Sequence, residues 1–236
     1  MTSAPRTARA IARAELTRAI LDSAGRQLVD VGPAALSVRA VARDLGMASS
    51  AVYRYFPSRD ALLTALLIEA YDDLGDAVEN ADAGAGERGD LDARWHAVCH
   101  AIHGWARAQP HRYALLYGSP VPGYAAPDDT VTSAARVTGA ILAILHDAQT
   151  AGIDPVPPLP LSPAEREGLA PVRGFVDPPF DDDALARGLL AWQALFGTIS
   201  LELFGHMHRG VLDYDAHFAQ VVDQLAADLG LSGSAG

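Results

Sequence analysis

Lysine is absent from the 236 residues and cysteine occurs once, so every fixed positive side-chain charge is an arginine. A single cysteine excludes an intrachain disulfide and fits a reducing, cytoplasmic setting. The opening stretch MTSAPRTARAIARAELTRAI has scattered arginines and no apolar core segment, so it does not read as a signal peptide. Alternation of apolar and polar residues is also missing, while apolar residues recur at helical spacing; the expected fold class is all-α. Ser119, Ser200 and Cys99 are present, but no G-x-S-x-G elbow accompanies them. No catalytic residue, cofactor or metal is expected.

The net charge of −11 is unevenly placed. Residues 1–60 hold nine arginines against five acids, a net +4, and residues 61–236 hold nine against twenty-four, a net −15. A basic head can neutralise phosphates, while an acidic body repels nucleic acid and keeps the chain soluble.

The segment 36–63, LSVRAVARDLGMASSAVYRYFPSRDALL, concentrates the information. Ser37 is placed to cap a helix from Val38 to Leu45, whose apolar face is Val38, Val41, Ala42 and Leu45 with Arg39 and Arg43 outside. Gly46 suits the left-handed residue that ends it. Ser49 or Ser50 opens a second short helix, to Phe56, and Pro57 prevents its extension. Two short helices joined by such a turn make a helix-turn-helix, which presents its second helix to the DNA major groove.

The segment resembles the DNA-binding domain of the TetR family of transcriptional regulators. The shared positions are Leu36, Ser37, Arg39, Val41, Ala42, Leu45, Gly46, Val52, Tyr53, Tyr55, Phe56, Ser58, Arg59, Asp60, Leu62 and Leu63, with Met47 replacing the usual valine. A second stretch, Trp192 to His206, together with Tyr113 to Pro127, is similar to the TetR C-terminal class called WHG. The resemblance implies a sequence-specific regulator, usually a repressor, that binds double-stranded DNA as a homodimer on a palindromic operator and answers to a small-molecule effector. It assigns DNA contacts to Ser37, Arg39, Ser49, Ser50, Ala51, Tyr53, Arg54, Tyr55 and Arg59. Arg39 is expected at a guanine edge, Tyr53 and Tyr55 at phosphates or a thymine methyl, Arg54 at a phosphate or a base, and Arg59 at a phosphate. Arg6, Arg9 and Arg13, in the arm before the first buried turn, either trail along the backbone or stay solvated. A DNA-binding protein without an effector, and an all-α binding module or enzyme retaining the helix-turn-helix, are the rival readings.

The expected division is a DNA-binding domain, 1–60, and a ligand-binding and dimerisation domain, 61–236. Helices are expected at 59–80, 91–109, 113–117, 130–150, 183–208 and 215–229. Residues 151–183 carry eight of the fifteen prolines and read as a long loop with a short helix at 163–169. On the helix 91–109, His96, Cys99, His100 and His103 fall at i,i+4 pairs, but each pair supplies two ligands where a metal needs three or four. Packed or pocket-lining histidines are the alternative. A pocket is expected among Trp95, His96, His103, Trp105, Tyr113, Tyr117 and Trp192, which combine apolar faces with polar tips; core filling explains them equally well. Helix 183–208 is apolar on every side. Its length is borderline for a membrane span, yet its charges, glycines and lack of a second span point to burial between two subunits. The dimer interface is therefore assigned to Leu189, Trp192, Phe196, Ile199, Leu203, Phe218, Val222 and Leu225, with no membrane partner.

Overall fold

A computed structural model describes residues 8–154, 160–174 and 181–232. Among these residues every regular element is helical: α1 (Ala8–Val31), α2 (Val38–Asp44), α3 (Ser49–Tyr53), α4 (Arg59–Gly84), α5 (Leu91–Ala108), α6 (Pro110–Tyr117), α7 (Val131–Thr150), α8 (Pro163–Gly168), α9 (Ala170–Arg173), α10 (Asp182–Leu203) and α11 (Tyr214–Asp228), with short 3-10 turns at Pro33–Ala35 and Asp128–Thr130. The chain divides into two compact units. The first is Met1–Tyr71 with His111–Ser133, the second Asp72–Pro110 with Ala134–Gly236.

This partition differs from a single cut after residue 60. The core of the first unit is Ile20, Ala24 and Leu28 of α1, Val38, Val41 and Ala42 of α2, Val52 of α3, then Phe56 and Leu62, Leu63, Leu66 and Leu67. Leu115 of α6 is buried in the same cluster, and Leu116, Val121 and Tyr124 pack against it. A hydrogen bond of 2.9 Å between the hydroxyls of Thr64 and Tyr124 ties the segment after α6 to α4. Apolar burial, which stabilises by about 25 cal/mol per Å², therefore assigns residues 111–133 to the head although they follow α5 in sequence. Val31 is exposed in the last turn of α1, where Gly32 at φ 73° redirects the chain.

The second unit is centred on Trp95, Val98, Cys99 and Ile102 of α5, Leu185, Leu195 and Ile199 of α10, and Phe218 and Val222 of α11. The Trp95 indole donates to the Val222 carbonyl across this core at 3.1 Å. Arg94 is fully buried beside it and spends its guanidinium on Asp82 (2.7 and 3.3 Å), Asp147 (2.6 Å) and the Arg88 carbonyl (3.2 Å). Burial opposes ionisation of Asp82, but hydrogen bonds from Arg94 and Arg88 outweigh it and hold its carboxyl below the usual range. Arg136 of α7 lies across Gly75 of α4, where a Cβ would come within 2.9 Å of its guanidinium. It donates to Glu79 at 2.6 and 2.8 Å and to the Asp72 carbonyl at 3.0 Å.

Four boundaries differ from expectation: α3 ends at Tyr53 instead of Phe56, α4 runs on to Gly84 instead of 80, and α6 and α10 shift as well. α6 begins at Pro110, a residue suited to the first helical turn because the missing N–H is unpaired there anyway. α10 stops at Leu203, short of the expected 208, because Gly205 adopts φ 76° and the His206 N–H turns back to the Leu201 carbonyl at 2.9 Å. Within 151–183 the short helix expected at 163–169 forms as α8, capped by Ser162 at 3.1 Å, and α9 follows it; 155–159 and 175–180 lie outside the described residues.

Candidate nucleic-acid interface

The helix-turn-helix is built by local hydrogen bonds. The Ser37 hydroxyl accepts the Ala40 N–H at 3.4 Å, which caps α2, and the Ser37 N–H is held by the Gln27 side chain at 3.1 Å. Gly46 at φ 64° reverses the chain, and the Met47 N–H closes the turn on the Ala42 carbonyl at 2.8 Å. α3 follows at once, anchored inward by the fully buried Val52. At the C-terminal end of α2, Asp44 sits where the helix dipole disfavours a carboxylate. The Ser23 hydroxyl donates to it at 2.6 Å and Arg26 at 2.6 Å, and these, Ser23 foremost, lower its pKa and join α1 to α2.

Around this scaffold the expected DNA-contacting residues fall into two groups. Arg39, Ser50, Tyr53 (40% exposed) and Arg54 stand at the surface, and no carboxylate engages either arginine among the described residues. Ser49 and Ala51 are half-buried in the first turn of α3, and Ser37 is occupied as a cap. Tyr55 is half-buried against the head core, with the Arg13 guanidinium 5.0 Å above its ring. Arg59, expected at a phosphate, faces inward instead: it donates to the carbonyls of Leu36 (3.2 Å), Pro33 (2.9 Å) and Ala34 (2.9 Å). Those carbonyls lie in and just after a 3-10 turn, where the backbone ladder runs short of donors, so an arginine fork satisfies them. Spacing alone does not reveal this, because the acceptors lie more than twenty residues upstream.

The seven residues expected to line a pocket are divided between the two compact units. Tyr113 and Tyr117 belong to the first unit, with ring centroids 5.2 Å apart, and Tyr117 meets Tyr71 edge-on at 6.2 Å. Burial, aided by Tyr71 and Tyr113, raises the Tyr117 pKa. The other five lie in the second unit. Trp95 is bonded to Val222, and the Trp105 indole donates to Asp73 at 2.9 Å. His103 is buried, 2.8 Å from Glu202, with its ring stacked 3.9 Å from that of Phe218. His96 contacts Asp223 at 2.8 Å and the Asp92 carbonyl at 2.8 Å. Burial resists its protonation, but these acceptors prevail and its pKa is raised, whereas burial and then His96 lower that of His100. Trp192 is half-buried, 4.9 Å from Phe196. Filling and joining the core is what most of these side chains do. A concave surface of about 430 Å³ lies elsewhere, lined by Ala10, Arg13, Ala14, Thr17, Arg18 and Leu21. Cys99 is buried, which raises its thiol pKa, and among the described residues no group of three His, Cys, Asp or Glu is placed to hold a metal.

The residues assigned to a dimer interface also sort by side. Phe196, Ile199, Phe218, Val222 and Leu225 are buried in the second unit's own core, and Leu189, Trp192 and Leu203 are half-buried. The outward stripe of α10 is a different one, with Leu190 (52% exposed) and Leu201 (47%), continued by Phe204 (41%). An all-round apolar helix does not show in its sequence which of its faces the fold buries. α10 is long and apolar enough to cross a membrane by length and composition; here it packs on α5 and α11.

A short helix capped by serine, a glycine turn, a second helix anchored by one buried valine and an exposed basic flank define a helix-turn-helix DNA-binding protein. Residues 20–66 match the family description "bacterial regulatory proteins, tetR family", and residues 95–225 match "tetracyclin repressor-like, C-terminal domain". The chain is 46% identical over 208 residues to HTH-type transcriptional regulators of Mycobacterium tuberculosis and Mycobacterium bovis, covering 82% of this chain and 83% of theirs. Among solved structures it is similar to a regulatory protein, SCO4313 (TM-score 0.76, 34% identity, 94% and 98% of the two chains), and to a protein of unknown function from Rhodococcus sp. RHA1 (0.69, 26%, 91% and 95%). The chain belongs to the TetR family, and it is a DNA-binding transcriptional regulator.

Proposed function

We propose that this regulator is a homodimeric repressor that occupies a palindromic operator and leaves it when a small-molecule effector binds. The observation that carries the reading is the exposed set Arg39, Ser50, Tyr53 and Arg54 on one helix-turn-helix, with both guanidiniums uncommitted inside the fold. α3 enters the major groove, Arg39 and Arg54 reach base edges or phosphates, and Ser49, Ser50 and Ala51 touch bases. Ser37, Tyr55 and Arg59 hold the reading residues in place. One bidentate arginine contact discriminates by about 1–3 kcal/mol. Dimerisation uses the outward stripe of α10, Leu190, Leu201 and Phe204, with half-buried Leu189, Trp192 and Leu203 at its margins. A two-fold axis then sets two recognition helices about one DNA turn or a related spacing apart, which demands a palindrome.

Release follows from linkage: an effector weakens DNA binding only by its differential affinity for the conformation that mis-spaces the two heads. α4, whose first half belongs to the head and second half to the body, is the covalent route. Half-buried His96 and Trp192 are the body aromatics we assign to effector contact. A repressor without an effector is the second reading, favoured by the internal bonds of Trp95, His103 and Trp105. Selection of duplexes from a random library, followed by titration of the winner at several salt concentrations with wild type and Arg39→Ala, tests the proposal. A palindromic winner bound tightly, and at least tenfold more weakly by the variant, is expected. Binding indifferent to sequence sinks it.

A further inference from the structure

We propose that the first two turns of α1 form a second DNA-contacting element, in which Arg9 and Arg13 bind phosphates flanking the bases read by α3. The inference rests on the operator-binding reading above. Arg9, Arg13, Leu16, Ile20 and Ala24 follow one another at spacings of four, three, four and four, so they form a single stripe along the helix. From Ile20 onward the stripe is fully buried in the head, and Leu16 is half-buried. One turn earlier it becomes arginine and is exposed. The face of α1 that points into the head therefore turns basic where the helix outruns the core.

The place where it does so is specific. Arg13 lies 5.0 Å over the ring of Tyr55, and Tyr55 stands two residues beyond the last residue of α3. A cation over an aromatic face is held in position without being neutralised. The stack directs Arg13, and with it Arg9 one turn away, to the side of the head that carries the end of the recognition helix. Neither arginine meets a carboxylate among the described residues, and Glu15, the nearest acid in sequence, projects roughly 200° around the helix from Arg13. Arg18, by contrast, lies off this stripe and is paired with Asp22 at 2.9 Å and Glu69 at 3.3 Å. A nearby partner bearing many regularly spaced negative charges, with no complementary carboxylate in the fold, is the phosphate backbone.

The test uses the full-length protein and a duplex that the wild type selects from random sequence. Binding is followed by fluorescence anisotropy across salt concentrations for wild type, Arg9→Ala/Arg13→Ala, Arg9→Lys/Arg13→Lys and Arg18→Ala. Removing one arginine–phosphate pair lowers the slope of log K against log salt by about 0.9, so the double alanine variant of a dimer loses about 3.6. Its preference for the selected over a scrambled duplex stays unchanged, because phosphates carry no base identity. The lysine variant keeps the slope, and helix content by circular dichroism is unaltered in all. A wild-type slope in the double alanine variant overturns the proposal, as does an equal loss in Arg18→Ala, which would reduce the effect to net charge. If wild type itself prefers no duplex, the operator reading fails first and this one falls with it.

Discussion

Arginine is used in opposite ways at the two ends of this chain. In the head, Arg9, Arg39, Arg43 and Arg54 are exposed with no carboxylate partner among the described residues, and Arg13 rests on a tyrosine ring. In the body, Arg88, Arg94, Arg107, Arg136, Arg166 and Arg173 are each paired with at least one Asp or Glu. A guanidinium that is already bonded has little left to offer a phosphate, whereas an unbonded one on a basic surface is available to an external anion. The difference teaches that unbonded arginine is concentrated in the head, while the arginines of the body bind its own surplus of acid. Arg18, Arg26 and Arg59 belong to the body's type although they lie in the head: the first two are paired with carboxylates, and Arg59 holds the connector between α1 and α2.

Arg94 is where the contrast should break most visibly. Arg94→Met removes the buried cation of a cluster in which Asp82 and the more exposed Asp147 keep only Arg88, and a loss of about 3 kcal/mol is expected by urea denaturation followed through tryptophan fluorescence. Operator affinity of the variant that remains folded should be unchanged. The same cluster sets an acid limit. The folded pKa of Asp82 lies below its ordinary 3.8, so its contribution is fully present above that value and is lost as pH falls through the lowered folded pKa. The pH dependence of stability in Asp82→Asn should flatten over that range relative to wild type.

An unbonded head arginine should do the reverse. Arg54→Ala is expected to cost about 1–3 kcal/mol of operator binding if it meets a base, read by anisotropy, and nothing measurable in melting temperature. A large drop in melting temperature would mean that this arginine is structural after all. Smaller still is Ser37→Ala, which removes the cap of α2 and should destabilise the head by about 1 kcal/mol, seen as a lower urea midpoint.

The least effect is expected at His96, partly exposed and bound to Asp223. Its folded pKa is raised above 6.5, so its contribution is present below that value and disappears as pH rises through the folded pKa. Solvent screening keeps this to a fraction of about 1 kcal/mol. His96→Gln should therefore narrow the stability difference from wild type as pH rises. A difference that widens instead would show that the imidazole packs in its neutral form.

Much of the head was legible in the order of its residues. Ser37, Gly46 and Val52 act within a few residues of their own position, so capping, turn and anchor followed from spacing. Arg59 did not, since its acceptors lie far upstream. The assignment of residues 111–133 was also hidden: Leu115 and Tyr124 carry no mark of which core they enter. In the body, helix positions followed from periodicity, and α10 was recognisable as apolar on every side. The inward choice of Phe196, Ile199 and Phe218 was decided by packing against α5 and α11.

What the sequence by itself determined is the all-α architecture, the helix-turn-helix and the contrast between basic head and acidic body, because helical period, capping and local charge act over a few residues. Only the tertiary structure decided which arginines are spent inside the fold, which face of α10 is outward and which aromatics fill the core. Those outcomes depend on partners brought together from distant parts of the chain, and the exposure of a side chain depends on the surface that covers it.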